Sequence, residues 1–548
     1  MGELNASIDT SPEGAPSLDY DVLIIGAGLS GIYTLISMKQ LGLRARVVER
    51  GSGPGGVWFW NRYPGARFDS ESYTYMFTFS QEVLDEWDWK EHFSAQEDTL
   101  RYINFVIDKH DIRPDIQLNT QVKSARYDEA ARSWTLADQN GKRLSARFLI
   151  NCLGPLTSPT LPDITGVADF KGEAYHTSRW PQDHVISSKD KRVGIIGTGA
   201  TGIQVIQEVA KTAGHLTVFQ RTANWTAPLR NSKISPDEMK AIRADYPGII
   251  RKCKSTPMGF MYEADPRNAL DTPAEEREEM WERHYNQRGL VKWVGNFKDI
   301  FTNQEANDLY SNWMANKIRA RVNDPVIAEK LIPKTHGFGT RRVPLETGYY
   351  ELFNRADVKL VDLNDTPIKR ITATGVETTA DNIDLDILIY ATGFDALTGS
   401  YEEIEYYGEG GVNLKDLWKD GPLTYLGFVV PSFPNMFNVL GPHQGTGNIP
   451  HAIEYTVHYV TRFMEHLKEA GITYVVPDQE GVQEWTEHVF DCTRGLLSAN
   501  VNSWMTGYNS NKKGKAQRRV VRYFGGLVRF RERCEDAAAQ NYRHFVQK

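Results

Sequence analysis

The chain has 548 residues, which is too long for one ordinary hydrophobic core, so two or three domains are expected. A formal net charge of −7 argues against nucleic acid as a partner, and the 41% hydrophobic and 24% charged residues are typical of a globular protein. The four cysteines stand far apart, which fits a reducing compartment and offers no spacing for a metal site.

The N-terminal region gives no targeting signal. Residues 1–19 are polar and acidic and are expected to form a disordered leader, not a signal peptide. The uncharged run 22–38 is too short for a membrane span and is interrupted by glycines, so a buried strand followed by a helix explains it better. We therefore expect a cytoplasmic protein with no membrane partner.

A dinucleotide-binding motif follows directly. Residues 21–25 predict a buried parallel strand, and a helix is expected from there to about residue 41. Between them, Gly26 permits a tight turn, Gly28 lets the backbone approach a pyrophosphate, and Gly31 lets helix and strand pack closely. Glu49 ends the next strand and can accept from ribose hydroxyls. In this context the glycines indicate a nucleotide site more strongly than a purely structural loop.

The motif then repeats. A strand over residues 192–196 leads into a second glycine-rich loop and helix, followed by a strand over residues 216–219. This strand ends near Arg221 and not in an acid, and an arginine there suits the 2′-phosphate of NADP; a plain surface arginine is the alternative. The cofactor-binding residues predicted at this second site are Gly197, Thr198, Gly199, Ala200, Thr201, Gly202, Arg221 and Thr222.

These patterns predict an α/β fold with two Rossmann-like dinucleotide-binding domains and a helical insertion. Residues 20–155 and 386–548 are assigned to the first domain, and residues 156–230 and 333–385 to the second. Residues 231–332 are charge-rich and favour helices, most clearly over 274–287 and 306–330. This insertion is interpreted either as a lid on the substrate side or as structural padding.

Two nucleotide sites in one chain imply electron transfer between two bound nucleotides, for which FAD in the first site and NADPH in the second is the simplest assignment. No Cys-x-x-Cys motif is present to receive electrons from a flavin, and no spacing suits haem or iron–sulfur ligands. Molecular oxygen is then the expected acceptor.

Two stretches carry the pattern of a known family. Residues 170–181 match Phe-x-Gly-x-x-x-His-x-x-x-Trp-Pro at every specified position, and residues 55–69 read Gly-Gly-Val-Trp-Phe-Trp-Asn-Arg-Tyr-Pro-Gly-Ala-Arg-Phe-Asp. Both resemble the fingerprints of the Baeyer–Villiger monooxygenases. The resemblance implies an FAD-containing, NADPH- and O2-dependent enzyme that inserts one oxygen atom beside a ketone carbonyl and so gives an ester or lactone.

The resemblance also implies roles for individual residues. Arg342 is the expected catalytic arginine, which stabilises a C4a-peroxyflavin, and Asp69 is expected to pair with it beside the flavin. Arg341 replaces the family's more usual Lys and would join Arg221 at the 2′-phosphate. Without the resemblance, Arg341 and Arg342 would be interpreted as a solvated basic turn.

The resemblance to the family implies further residues that contact the cofactors. They are Gly56 and Val57 in the second fingerprint, Trp58 and Tyr75 beside the flavin, Val122 at the end of a short strand near the adenine, and Trp504 in a loop that closes over the nicotinamide nucleotide. His176 and Trp180 are expected to couple the two domains and not to act as catalysts. The glycine-rich loop 441–450 is expected to be mobile and to select the ketone.

Two other functions remain open at this stage. A related flavin monooxygenase would oxygenate nitrogen or sulfur in soft nucleophiles, and product analysis with a ketone and a thioether separates the two. A non-catalytic protein that senses NADPH would need no flavin, so it would purify without a yellow colour.

Overall fold

The computed structural model describes residues 17–512 and 514–548, so most of the expected leader lies outside the described residues. The strands are β1 (Tyr20–Ile25), β2 (Ala45–Val48), β3 (Ile116–Gln117), β4 (Val122–Asp128), β5 (Ser133–Asp138), β6 (Arg143–Asn151), β7 (Glu173–His176), β8 (Arg192–Ile196), β9 (His215–Gln220), β10 (Ala227–Pro228), β11 (Leu345–Glu346), β12 (Val358–Asp362), β13 (Ile368–Ile371), β14 (Gly375–Thr378), β15 (Asn382–Asp384), β16 (Ile387–Tyr390), β17 (Glu405–Tyr407), β18 (Met436–Asn438), β19 (Val475–Pro477) and β20 (Phe545–Gln547).

The α-helices are α1 (Leu29–Gln40), α2 (Val57–Trp60), α3 (Gln81–Glu86), α4 (Gln96–Lys109), α5 (Ala200–Val209), α6 (Pro236–Ala244), α7 (Tyr246–Ser255), α8 (Ala274–Asn286), α9 (Val291–Val294), α10 (Gln304–Arg319), α11 (Pro325–Leu331), α12 (Gly399–Glu402), α13 (Leu414–Leu417), α14 (Ile449–Glu469), α15 (Gln479–Asp491) and α16 (Gly526–Ala539). Throughout the described part of the chain, no helix combines the length and the apolar character that crossing a membrane requires.

The first sheet is built around β1. Its eight strands run in the order β17-β4-β5-β6-β1-β2-β3, with β18 added on β6. β1 lies parallel between β6 and β2, and its residues Val22, Leu23 and Ile24 are fully buried, as expected for a strand covered on both faces. Because β17 and β18 come from the C-terminal part of the chain, that part completes the first sheet, and α14 lies against α1.

The second sheet contains five parallel strands in the order β12-β9-β8-β16-β7. It differs from the expected division in one respect: β16, which the sequence assigns to the first domain, pairs with β8 and β7 in the second sheet. β16 is buried along its whole length. The chain therefore returns to the first sheet only after Tyr390.

Helices α6 to α11 occupy residues 236–331, where a helical insertion is expected. Met280 and Trp281 of α8 and Tyr310 of α10 pack in the same core as the second sheet. The single helical stretch expected over 306–330 is two helices, because Asp324 caps the N-terminus of α11 and Pro325 occupies its first turn. A proline at that position starts a new helix and cannot continue the previous one.

Both glycine-rich loops lie at the carboxyl ends of parallel strands, after β1 and after β8. In open parallel sheets this edge is where ligands bind, because strand ends and helix N-termini meet there. The functional site is therefore expected between the two sheets.

Candidate functional site

One large cavity of about 1330 Å³ lies between the two sheets and reaches both glycine-rich loops. Nearly every predicted site residue lines it: Gly26, Gly28, Glu49, Gly56, Val57, Trp58, Asp69, Tyr75, Val122, Gly197, Thr198, Gly199, Ala200, Thr201, Arg221, Thr222, Arg341, Arg342 and Trp504. Only Gly31 and Gly202 of the predicted set do not line it. Residues that are up to several hundred positions apart are thus brought together.

Gly31 and Gly202 lie behind the cavity and hold each helix against its strand. A Cβ at Gly31 would lie 1.8 Å from the carbonyl oxygen of Gly26, and a Cβ at Gly202 would lie 2.2 Å from that of Gly197. Gly26 and Gly197 themselves have φ values of +104° and +110°, which side chains rarely adopt. The third glycine of each motif therefore serves packing, as the spacing predicts.

The first loop exposes the N-terminus of α1 to the cavity. Gly28 is the N-cap and has no side chain to bond the first backbone N–H groups, and it lines the cavity together with Leu29 and Ser30. The Glu49 carboxylate accepts from the backbone nitrogens of Ala27 at 2.8 Å and Gly51 at 2.7 Å, which fixes it at the end of β2. Val122 begins β4 and does not end a strand, in contrast to the expectation, yet it reaches the same cavity.

An aromatic wall lines part of the cavity. Trp58 Nε1 donates to the hydroxyl of Tyr75 at 3.2 Å, and the Tyr75 ring stacks on Phe68 with centroids 4.4 Å apart. Burial raises the pKa of Tyr75 to about 12, so this hydroxyl stays neutral at physiological pH. The wall offers flat apolar faces that suit a ring system.

Arg342 and Asp69 form a directed ion pair at the centre. Arg342 Nη1 lies 2.7 Å from Asp69 Oδ2, and the same oxygen accepts from the backbone nitrogen of Leu345 at 3.1 Å. The Asp69 side chain is 3% exposed, whereas that of Arg342 is 33% exposed. The buried carboxylate and the carbonyl oxygen of Val343 thus hold Nη1 of a guanidinium whose residue lines the cavity.

The second loop is flanked by two arginines. Arg221 and Arg341 both line the cavity, and neither forms an ion pair with a carboxylate of residues 17–512 or 514–548. Burial and the neighbouring charge of Arg221 lower the pKa of Arg341, and its Nε is buried without a hydrogen-bond partner. Two uncompensated guanidinium groups beside a helix N-terminus fit a phosphate group such as the 2′-phosphate of NADP.

The loop that carries Trp504 is tied to the segment after β16. Trp504 starts a short 3₁₀ helix (Trp504–Thr506) and is 37% exposed at the cavity. Downstream, Lys512 and Lys515 form ion pairs with Asp395 and Glu402. Sequence reasoning missed both acidic partners, which lie more than a hundred residues earlier.

His176 and Trp180 do not line the cavity. His176 ends β7; its Nδ1 lies 2.8 Å from Ser178 Oγ and its Nε2 lies 3.4 Å from Thr392 Oγ1, just past β16. Burial lowers the pKa of His176 to about 4, so the ring is neutral at physiological pH. Trp180 packs in the core of the second sheet, beside Tyr175. Through these contacts His176 and Trp180 hold the end of β7 in place, and His176 also contacts the residue just past β16.

The loop 441–450 is not loosely held, in contrast to the expected mobility. His443, Gln444 and Asn448 are at most 1% exposed, and Gln444 Nε2 donates to the carbonyl oxygens of Gly427 and Asn438. Asn448 Nδ2 donates to the carbonyl oxygen of Thr74 at 2.9 Å. Buried polar side chains therefore fix this glycine-rich loop, and only its end, from Thr446 onward, reaches the cavity.

Sequence reasoning also missed Arg522, whose guanidinium lines the same cavity beside Thr446 and Met505. No fingerprint includes this position. An arginine between Val521 and Tyr523, in an otherwise apolar stretch, was the available signal.

Comparison with known proteins gives consistent matches. The family model described as flavin-binding monooxygenase-like matches residues 20–256. A Pseudomonas putida protein, 2-oxo-Δ3-4,5,5-trimethylcyclopentenylacetyl-CoA monooxygenase, is 43% identical over 97% of this chain and 99% of its own length. Two relatives are each 37% identical over 96% of this chain: cyclohexanone 1,2-monooxygenase of Acinetobacter sp., covered over 96% of its length, and phenazine N-monooxygenase of Lysobacter antibioticus, covered over 97%.

Solved structures agree in fold over the whole chain. The crystal structure of OTEMO in complex with FAD and NADP superposes with a TM-score of 0.94 at 42% identity, and covers 97% of this chain and 100% of the other. At this identity the likeness extends to sequence as well as fold.

Proposed function

The chain belongs to the Baeyer–Villiger monooxygenase family, and we propose that it binds FAD at the first glycine-rich loop and NADPH at the second and converts a ketone into an ester or lactone. NADPH, a proton and O2 are consumed; one oxygen atom enters the ketone beside its carbonyl, and the other leaves as water. This overall balance needs no further oxidant or reductant.

The observation that carries the proposal is the position of Arg342. Its guanidinium is fixed by the buried Asp69 at 2.7 Å, and it opens onto the cavity that both nucleotide loops share. A permanent cation at this place stabilises negative charge that develops on oxygen during attack on a carbonyl. Because Asp69 also accepts from the backbone of Leu345, the guanidinium is held before any substrate arrives.

Each cofactor has residues suited to it. Reduced flavin supplies the activation of O2 when bound, and the helix N-terminus at Gly28, the Glu49 carboxylate and the wall of Trp58 and Tyr75 would hold its phosphates, ribose and rings. The uncompensated guanidinium groups of Arg221 and Arg341 would hold the 2′-phosphate of NADPH. We infer the preference for NADPH over NADH from this pair.

Oxygenation of nitrogen is the second candidate, and the likeness to a phenazine N-monooxygenase favours it. The two reactions need opposite reactivity at oxygen: attack on a carbonyl needs a nucleophile, whereas attack on an amine or thioether needs an electrophile. A fixed cation beside the reacting oxygen favours the anionic, nucleophilic form, so Arg342 supports ketone oxidation.

The test begins with purified, yellow protein reduced by NADPH without oxygen. Oxygen is then admitted with cyclohexanone, with a thioether, or with neither, and organic products and hydrogen peroxide are measured. We expect lactone from cyclohexanone, and peroxide release when no substrate is present.

Protein that lacks flavin would contradict the proposal and favour nucleotide sensing. Conversion of the thioether with no product from a panel of cyclic, aryl and linear ketones would move the assignment to the second candidate.

A further inference from the structure

Arg522 lies in the short connection before α16 and turns its guanidinium into the cavity. Its Nε donates to Thr446 Oγ1 at 2.8 Å, and Nη1 lies 3.3 Å from Met505 Sδ. The guanidinium also lies 5.4 Å from the centre of the Phe524 ring. These contacts hold the head group in place but leave most of its donors unused.

No carboxylate compensates this charge. Within residues 17–512 and 514–548, no Asp or Glu forms an ion pair with Arg522, although the buried basic residue Lys515 of the same segment has two acidic partners. Burial lowers the pKa of Arg522 to about 10, which still leaves it protonated at neutral pH. Arg522 is half-buried, and a partly desolvated charge without a carboxylate partner carries a cost that a bound anion would offset.

Arg522 faces the part of the cavity that is reached by the end of loop 441–450. Its partner Thr446 is two residues from Asn448, whose backbone nitrogen donates to the carbonyl oxygen of Met258 at 2.8 Å. Met258 lines the cavity together with Phe260, Leu290 and Trp293. On its other side, the Asn448 side chain binds the carbonyl oxygen of Thr74, next to Tyr75 of the aromatic wall. The cavity beside Arg522 thus has apolar lining residues as well as a cation.

We propose that Arg522 is a specificity-determining residue that binds the carboxylate of a ketone substrate, so that the preferred substrate is a keto acid with an apolar body. This inference rests on the proposed function, because it assigns the substrate class of the same site. A carboxylate matches the planar fork of donors on a guanidinium, and the apolar side chains around it would cover the rest of the molecule. A neutral ketone would leave the charge unpaired.

The test uses the holoenzyme with an oxocyclopentanecarboxylate, its methyl ester, its coenzyme A thioester and cyclopentanone. For the wild type we expect the free acid to have the highest kcat/KM. In Arg522→Met, we expect kcat/KM for the acid to fall about 10- to 100-fold, as for loss of a charge-assisted hydrogen bond, and kcat/KM for the uncharged ester to fall less than that for the acid. Arg522→Lys keeps the charge and should recover part of the preference. Arg518→Met is the matched control, since Arg518 is exposed and lies outside the cavity.

Three results would overturn the inference: equal kcat/KM for acid and methyl ester in the wild type, a preference for the thioester that Arg522→Met leaves unchanged, or a loss in Arg522→Met confined to NADPH affinity. Calorimetric binding of the acid to the oxidised holoenzyme with NADP⁺ gives a readout that needs no turnover. Acid binding that depends on Arg522, without any ester or lactone product, would leave this inference standing and contradict the proposed function alone. Product formation without a preference for the acid would contradict this inference and leave the proposed function standing.

Discussion

Lys515 Nζ donates to both carboxylate oxygens of Asp395, each at 2.8 Å, and to Thr398 Oγ1 at 3.0 Å. Glu402 accepts from the same ammonium, and its other oxygen pairs with Lys512. Asp395 and Glu402 belong to the segment in which the chain leaves the second sheet for the first, whereas Lys515 follows the loop of Trp504. The network therefore ties that loop to the connection between the two sheets.

Replacing Lys515 by Met should loosen the loop of Trp504. The buried Asp395 would lose one of its two lysine partners but keep Lys512, so the loss of stability should be smaller than the about 3–5 kcal/mol that follows when a buried charge loses its only partner. We expect faster hydrogen exchange over residues 503–515 and more hydrogen peroxide released per NADPH consumed.

Lys359→Met is the control, because Lys359 is exposed and its ion pair with Asp381, at 3.3 Å, lies on the surface of the second sheet. Unchanged exchange over residues 503–515 in Lys515→Met would show that the network does not hold the loop.

Replacing Arg342 by Ala should separate the two half-reactions. NADPH should still bleach the flavin absorbance, because Arg221 and Arg341 remain in place. Ester formation should fall about 100- to 1000-fold, as when one preorganised donor to an oxyanion is removed. Arg342→Lys keeps the charge but loses the planar fork towards Asp69, so an intermediate rate is expected. Ester formation in Arg342→Ala at a rate close to that of the wild type would contradict the assigned role.

Arg341 and Arg221 should decide between NADPH and NADH. In Arg341→Ala, we expect the KM for NADPH to rise about 10- to 100-fold, because a charge-assisted contact to the 2′-phosphate is lost. The KM for NADH should change little, since NADH carries no 2′-phosphate. Stopped-flow reduction with both nucleotides measures the ratio. A parallel loss for both would mean that Arg341 acts on the fold and not on the phosphate.

The sequence predicted the parts of the fold that local pattern determines. Both strand–glycine–helix units are local, because each glycine of the motif is required by a turn or by a contact with a residue a few positions away. The break at Pro325 was missed, although its signal was local, because Asp-Pro is a common helix start. The four apolar residues of β16 were not informative in this way: a strand buried on both faces does not encode which sheet it joins.

The site could be predicted only where a fingerprint covered it. The pairing of Arg342 with Asp69 came from the resemblance, and the structure places the two in contact. The burial of loop 441–450 was missed, because glycines suggest mobility while the side chains that fix the loop bind residues far away in the chain, such as Thr74. Arg522 was missed for the same reason, since its isolation from carboxylates is a property of the folded chain.

Substitution by Ala at two glycines of the second loop should have different effects, on thermal stability at one position and on NADPH binding at the other. A Cβ at Gly202 would lie 2.2 Å from the carbonyl oxygen of Gly197, whereas a Cβ at Gly199 would meet nothing within 4 Å. Gly202→Ala should therefore lower the midpoint of thermal unfolding, and Gly199→Ala should fold normally but bind NADPH more weakly, because its methyl group occupies the nucleotide's space. Thermal unfolding and NADP⁺ titration of both variants test this. Normal NADP⁺ affinity in Gly199→Ala would contradict a nucleotide site at this loop.

His443 should make stability depend on pH in the acidic range. His443 is 1% exposed. Its Nε2 lies 2.9 Å from the carbonyl oxygen of Val520, and the neutral ring with its hydrogen on Nε2 donates a hydrogen bond to that oxygen. Burial lowers its pKa to about 4, against about 6.5 for an unfolded histidine. Between these values the unfolded chain binds more protons than the folded one, so stability falls as the pH falls. The contribution amounts to about 2 kcal/mol between about pH 6.5 and about pH 5.

His443→Asn isolates this contribution. Asn tolerates the positive φ of +63° at this position and does not titrate in that range. The variant should be less stable than the wild type at neutral pH, because the contact with Val520 is weakened, but its stability should fall less steeply towards pH 5. Unfolding midpoints measured over this range give two profiles, and groups that titrate in both proteins cancel in their difference. Profiles that stay parallel would mean that His443 takes up its proton over the same pH range in the folded and the unfolded protein, and the loop 441–450 would then have to admit water around it.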